Sequence, residues 1–159
     1  ARAAEPKAEP TAQQRQILER GEGFIAQIRE SNQAIPGEDV SRTLDQIEHV
    51  VRAILDCAAE NPEVIGDLDR LMDYYLPTTV KLLDAYRELD GQPIQSSSIQ
   101  QSKREIEGAL GSLNAAFEKL LDSLFRDMAI DVSSDISVLH TVLAQEGLVD
   151  GPFDSAKRS

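Results

Sequence analysis

Residues 99–124 read IQQSKREIEGALGSLNAAFEKLLDSL, and this stretch decides the fold class. From Ile106 onward its apolar residues recur at alternating steps of four and three. Such spacing lines one side of a helix with a continuous apolar seam. The seam consists of Ile99, Ile106, Leu110, Leu113, Phe117, Leu120 and Leu124. We therefore predict a helix of nearly thirty residues, about 40 Å long at 1.5 Å per residue.

Periodicity and end signals predict three helices before this one. Helix one covers residues 12–34 and has Thr11 as its N-cap. Helix two begins near Glu38 and ends before Pro62, and helix three runs over residues 63–90. Each carries an apolar face with helical spacing, so each is expected to pack on its neighbours.

Two local signals modify this series. Pro77 lies inside helix three and removes a backbone hydrogen bond, so we expect a kink or break near Tyr75-Leu76. Polar residues 131–134 can cap a separate, short fifth helix that Gly147 closes. The inward face of this fifth helix is predicted to consist of Val132, Ile136, Leu139 and Leu143.

The sequence thus predicts an all-α fold, an antiparallel bundle of about four to five helices with long heptad-type seams. With 41% hydrophobic residues but only 4% aromatic ones, its core consists mainly of aliphatic side chains. We expect one bundle domain over residues 11–149, between disordered segments at residues 1–10 and 150–159. A homodimer in which the long helix pairs with its copy is an open alternative.

The net charge of −12 limits the partners of the protein. An acidic chain repels nucleic acids and anionic membrane surfaces, whose binding depends on Lys and Arg. No run reaches the ~18 apolar residues of a membrane span, so we expect no membrane contact from this fragment. The single Cys57 cannot form an intramolecular disulfide, and we interpret it as a small core residue.

Metal and cofactor chemistry is not indicated. Bundles that hold two metals use Glu-x-x-His pairs, a pattern that this sequence lacks. His49 follows Asp45 by one helical turn, but an exposed polar pair explains that spacing as well as half of a metal site does. The acidic residues after Cys57 exclude a cysteine phosphatase loop. We expect neither a metal nor another cofactor.

The segment Tyr74-Tyr75-Leu76-Pro77-Thr78-Thr79 is the most unusual stretch of the chain. Two tyrosines, a mid-helix proline and two hydroxyls could line a groove for a ligand or a partner helix. We predict a binding role for Tyr74, Tyr75, Pro77, Thr78 and Thr79. The structural alternative is that Pro77 bends the helix around the core while Thr78 or Thr79 bonds the freed carbonyl.

Two blocks of the sequence resemble the XpaC family, which is named for 5-bromo-4-chloroindolyl phosphate hydrolysis. The first covers residues 67–89 and contains the Tyr-Leu-Pro-Thr-Thr run. The second begins at residue 116 and includes Asp-Val-Ser-Ser-Asp-Ile at 131–136. The resemblance implies a bacterial protein encoded near TelA-type toxic-anion (tellurite) resistance proteins, and it implies a phosphate hydrolase.

The resemblance also bears on location. The chain does not begin with Met, and some relatives carry N-terminal hydrophobic segments. We therefore expect a cytoplasmic domain that a missing N-terminal segment tethers to the membrane, with residues 1–10 as the linker.

Two functions follow as hypotheses. Phosphate-ester hydrolysis normally requires metals or converging cations around a nucleophile, and the sequence shows no such cluster. We therefore favour an interaction or scaffold protein linked to toxic-anion resistance or envelope stress, with a TelA-like protein as partner. The alternative is a phosphatase that uses Asp69 and Asp73 with Arg70 or Lys81.

Overall fold

A computed structural model describes residues 9–148 of the chain. These residues are helical almost throughout, which confirms the all-α prediction. The elements are α1 (Ala12–Ala34), α2 (Glu38–Glu60), a 3₁₀-helix (Pro62–Leu68), a π-helix (Leu71–Tyr75), α3 (Leu76–Asp90) and α4 (Ser97–Gln145). The predicted disordered ends lie outside the described residues, except for Glu9 and Pro10.

The helix ends follow their local chemistry. Thr11 and Gln14 form a reciprocal capping box at the start of α1, so the predicted N-cap is confirmed. At the start of α4 the Ser96 hydroxyl accepts a hydrogen bond from the Ile99 backbone amide, with 3.2 Å between oxygen and nitrogen. Gly147 has a φ of 73° at the end of α4, and Leu148 donates back to the Leu143 carbonyl. This is the glycine-dependent termination that the sequence predicts.

The core forms where α1 packs against α2 and α3. Apolar residues spaced by three and four on these helices are almost fully buried, including Ile25, Ile28, Leu44, Ile47, Ile54 and Leu83. Burial of each such side chain contributes about 1.5–3 kcal/mol to the free energy of folding, because its apolar surface is removed from water. The closest approach lies at Gly21, where an added Cβ would fall 2.6 Å from Leu55 Cδ1. Only glycine therefore fits at this crossing without a shift of Leu55.

Polar contacts align the first part of α4 with α2 and α3. The Tyr86 hydroxyl donates to Glu107 at 2.8 Å, and Lys103 pairs with Asp90 at 2.9 Å. Burial, reinforced by the Glu107 carboxylate, raises the pKa of Tyr86. The buried Asn114 amide donates to Gln46 on α2 at 3.3 Å.

The prediction of a separate fifth helix is wrong. α4 continues without a break to Gln145, so residues 131–134 lie inside it rather than at a cap. Exposed serines and aspartates are compatible with a helix interior, and neither glycine nor proline interrupts the chain between Gly111 and Gly147. The predicted inward face also fails, because Val132, Ile136 and Leu139 are exposed.

The chain divides into two compact units, Ala1–Leu121 and Asp122–Ser159. The predicted single domain over residues 11–149 stays a prediction. Among residues 9–148, no helix has the length and apolar character needed to cross a membrane.

Candidate functional site

A turn of π-helix precedes Pro77. In this turn the Leu76 amide donates to the Leu71 carbonyl, five residues earlier. Pro77 is then the second residue of α3, a position where its missing N–H costs little. At the predicted kink or break near Tyr75-Leu76 the backbone stays helical, and its hydrogen-bond pattern changes from π to α. Helix three is nevertheless not the single kinked helix over 63–90 that the sequence predicts, because its first part is 3₁₀ and then π-helical.

Arg20 of α1 bonds the backbone at this irregular turn. In the π pattern the Met72 carbonyl would meet the nitrogen of Pro77, which has no hydrogen to donate. Arg20 Nη2 instead donates to the Met72 carbonyl and to Asp73 Oδ1, each at 3.1 Å. A side chain from another helix thus satisfies the carbonyl that Pro77 leaves without a partner. Nothing local in the sequence signals this role for Arg20.

The residues predicted to bind a ligand or partner differ in exposure. Thr79 is fully buried and its hydroxyl donates to the Tyr75 carbonyl at 2.7 Å, while Thr78 and Pro77 are half-buried. The half-buried Tyr75 ring packs edge-on against Phe117, 6.3 Å between centroids. Tyr74 is 57% exposed. Tyr74 is thus the member of the set most accessible to a partner, and the binding role of all five stays a prediction.

Two cavities flank the π-helix. The larger, about 560 Å³, is open to solvent and lined by Asp69, Arg70, Asp73 and Tyr74. The smaller, about 360 Å³, is more enclosed and lies between the π-helix region and α4. Its lining comprises Asp67, Arg70, Leu71, Tyr75, Ala116, Phe117, Lys119 and Leu120. Arg70 therefore borders both cavities.

The smaller cavity combines an apolar wall with charge. Leu71, Phe117 and Leu120 offer a surface for a flat apolar group, and Arg70 and Lys119 supply two cations. Asp67 adds a carboxylate, so the cavity offers an apolar wall together with charges of both signs. The sequence did not point to Phe117 or Lys119, because they come from α4 and meet Arg70 only through the tertiary packing.

The four residues named for a phosphatase are only partly brought together. Asp69, Arg70 and Asp73 share the larger cavity, and Asp73 is paired with Arg20. Lys81 is exposed on α3 and lines neither cavity.

The remaining reactive side chains, Cys57, His49 and His140, line neither of these two cavities. Burial raises the pKa of the Cys57 thiol. His49 is exposed and its Nδ1 lies 2.7 Å from the Asp45 carbonyl rather than beside a carboxylate. His140 is exposed as well. Within residues 9–148, no group of His, Cys, Asp and Glu is arranged to hold a metal ion.

A second candidate site lies on α4 beyond Asp122. Phe125, Val132, Ile136 and Leu139 are 50%, 56%, 48% and 54% exposed, and their helical spacing places them on one face. We call this face the apolar stripe; with the half-buried Leu143 it extends about 27 Å. Uncovered apolar faces of this kind mark interaction surfaces more often than single exposed residues do.

Three aspartates accompany the apolar stripe. Asp127, Asp131 and Asp135 follow one another at four-residue intervals, so they form a row that starts nearly opposite the stripe at Asp127 and approaches its edge only at Asp135. All three are exposed, and no side chain among the described residues pairs with them. The one arginine of this part of α4, Arg126, pairs with Asp122 at 2.6 Å.

The fold and these surfaces define an acidic, all-α protein with an irregular helix turn between two cavities and a long helix that ends in an uncovered apolar stripe. The family model described as 5-bromo-4-chloroindolyl phosphate hydrolysis protein matches residues 2–139. The chain therefore belongs to this family, the XpaC family, as the two blocks of resemblance indicate. No curated protein and no solved structure matches the chain.

Proposed function

We propose that this protein acts as an interaction or scaffold protein, and that the apolar stripe of α4 binds another protein helix. The observation that carries the proposal is the exposure of Phe125, Val132, Ile136 and Leu139 on one helical face. By contrast, the seam residues Leu110, Phe117 and Leu124 of α4 are buried. Covering the stripe would remove apolar surface from water and favour association.

The partner that the family resemblance suggests is a TelA-like protein. In this proposal the domain contributes to toxic-anion resistance or the envelope-stress response by holding such a partner, and it carries out no chemistry itself. In this proposal the domain acts in the cytoplasm. A homodimer through α4 would use the same surface, so the two associations compete.

The test is titration calorimetry with the purified TelA-like protein of the source organism. Ile136→Gln/Leu139→Gln removes two stripe residues and should weaken binding at least tenfold. Ile130→Gln/Val138→Gln is the matched control, because these residues are 59% and 62% exposed but lie off the stripe. The control should bind within about twofold of the wild type. Equal loss in both variants would refute the stripe, and no binding by the wild type would refute this partner.

Phosphate-ester hydrolysis is the second candidate, and the smaller cavity favours it. An indolyl group would lie against Leu71, Phe117 and Leu120, and the phosphate would meet Arg70 and Lys119. The candidate nucleophiles or bases nearby are Asp67 in this cavity and Asp69 and Asp73 in the larger one. The lining offers an apolar wall and two cations, but no metal-binding cluster is found among residues 9–148, so we rank this function second.

Purified protein is assayed with 5-bromo-4-chloroindolyl phosphate, with and without divalent metals. The first proposal expects no turnover above background. Hydrolysis would establish the second if Arg70→Gln and Lys119→Gln abolish it while Lys81→Gln, outside both cavities, retains it. Asp67→Asn, Asp69→Asn and Asp73→Asn would then identify the carboxylate that reacts.

A further inference from the structure

The charged residues of the smaller cavity are not paired within the fold. Asp67, Arg70 and Lys119 are exposed and line this cavity, so they lie at its mouth. None of the three forms an ion pair with another residue of the described part of the chain. By contrast, Arg20, which reaches the neighbouring turn, pairs with Asp73 at 3.1 Å. The mouth of the cavity therefore offers two cations and one carboxylate to a ligand.

The inner wall of the same cavity is apolar and partly aromatic. Leu71 and Phe117 are each 1% exposed, so the surface that they present lies deep in the cavity. The Tyr75 ring stands at 76° to the Phe117 ring, and Leu120 of α4 completes this wall. A space of about 360 Å³ with an apolar wall and a few polar groups is typical of a site for one small molecule.

The signs of the three charges restrict that molecule. Arg70 and Lys119 come from different elements and face one cavity, so an anionic group between them reduces the repulsion between their charges. A ligand that carries only an anion leaves Asp67 without a partner and is repelled by it. A ligand that carries only a cation is repelled by both basic residues. A molecule with both charges, close together and next to an apolar group, complements the whole lining.

We infer that the smaller cavity binds a free aromatic α-amino acid. The carboxylate of this ligand lies between Arg70 and Lys119, and its ammonium group lies near Asp67. Its ring packs against Leu71 and Phe117. The inference does not depend on the apolar stripe of α4. It gives the cavity a ligand other than a phosphate ester, and it requires no bond to be made or broken.

The experiment titrates the isotope-labelled full chain with four compounds and follows the backbone amides of residues 67–75 and 116–120 by NMR. L-phenylalanine carries all three features. N-acetyl-L-phenylalanine lacks the cation, L-phenylalaninamide lacks the carboxylate, and L-asparagine lacks the apolar side chain. L-phenylalanine should bind saturably, and each of the other three should bind at least about fivefold more weakly, because each loses one of the contacts.

Substitutions at the mouth of the cavity test the role of each charge. Arg70→Gln and Lys119→Gln should each weaken binding of L-phenylalanine about fivefold. Lys81→Gln is the matched control, because Lys81 is exposed and lines neither cavity, and it should bind within about twofold of the wild type. Asp67→Asn should remove the preference for L-phenylalanine over its N-acetyl derivative, an effect that a loss of folding would not produce.

Two results would overturn the inference. One is an N-acetyl derivative that binds as tightly as L-phenylalanine in the wild type, because the cavity would then accept aromatic anions and Asp67 would have no role. The other is the absence of saturable shifts with millimolar L-phenylalanine. Neither result affects the proposed helix-binding function, which calorimetry with the stripe variants tests separately.

Discussion

Ile47 and Ile136 are both isoleucines that recur with their apolar neighbours at helical spacing, yet Ile47 is completely buried and Ile136 is 48% exposed. The first lies on α2, in a layer that α1 covers. The second lies on α4 beyond Asp122, where Phe125, Val132 and Leu139 of the apolar stripe are exposed as well. The comparison shows that periodicity identifies the apolar face of a helix but does not identify what covers it.

Replacing each isoleucine by alanine gives the largest expected contrast. Ile47→Ala should lower the free energy of unfolding by about 2–5 kcal/mol, because it leaves a cavity in a packed layer. Ile136→Ala should change it by less than about 0.5 kcal/mol. Urea unfolding followed by far-UV circular dichroism measures both. A cost above 2 kcal/mol for Ile136→Ala would mean that the stripe is covered within the protein.

A pair of glycines within α1 measures how tightly the buried layer is packed. Gly21→Ala places a Cβ 2.6 Å from the buried Leu55, and overpacking of this kind costs about 1–3 kcal/mol. Gly23→Ala has no atom within 4 Å of its new Cβ and should gain about 1 kcal/mol from helix propensity. The melting temperature should therefore rise in Gly23→Ala and fall in Gly21→Ala. A rise in both would show that Leu55 repacks freely.

Arg20 and Pro77 should be energetically coupled. Arg20→Ala removes the hydrogen bond to the Met72 carbonyl and should lower the free energy of unfolding by about 1 kcal/mol. Pro77→Ala restores a backbone N–H and should hold or raise stability, and in its presence Arg20→Ala should cost less. A double-mutant cycle in urea measures this coupling. Strictly additive effects would refute the compensation.

Pro77→Ala also tests the binding role predicted for Tyr74, Tyr75, Pro77, Thr78 and Thr79. Loss of the π turn would move Tyr74, so we expect weaker binding to the TelA-like protein. Unchanged calorimetric affinity would leave the apolar stripe as the binding surface.

The smallest expected change in stability concerns Glu22, an exposed carboxylate that is paired with Arg52. The hydrogen bond from Arg52 lowers the pKa of Glu22 below its ordinary value of 4.5. The Glu22–Arg52 pair therefore stabilises the folded state fully above pH 4.5. This stabilisation disappears as the pH falls through the lower pKa that Glu22 has in the folded state. Glu22→Gln should cost less than about 1 kcal/mol at pH 7, because the pair is exposed, and nothing in strong acid. A cost independent of pH would assign the effect to packing.

Local chemistry explains what the sequence could predict. Thr11 marks the start of α1, and Pro77 marks the change from π-helix to α-helix, because capping and backbone donors depend on neighbouring residues only. The residues at 131–134 were misread because Asp and Ser satisfy backbone groups at a cap but are also tolerated inside an exposed helix. Ser137, for example, donates to the Ser133 carbonyl within α4.

The candidate sites were harder to predict for a different reason. Asp69, Arg70 and Asp73 are neighbours in sequence, and the structure groups them around one cavity. Lys119, Phe117 and Arg20 reach the same region from other helices, through contacts that span 50 residues or so. Periodicity assigns a face to each residue, whereas such meetings depend on which faces are packed together.

Asn114 has a consequence for how α4 is aligned. Aliphatic contacts would survive if α4 slid by one turn, about 5.4 Å, since similar side chains would replace one another. The 3.3 Å hydrogen bond from Asn114 to Gln46 would not survive, and a buried amide would lose a partner. Asn114 therefore acts together with the Tyr86–Glu107 and Lys103–Asp90 pairs: these polar contacts select one register of α4 from several that the aliphatic contacts alone would accept.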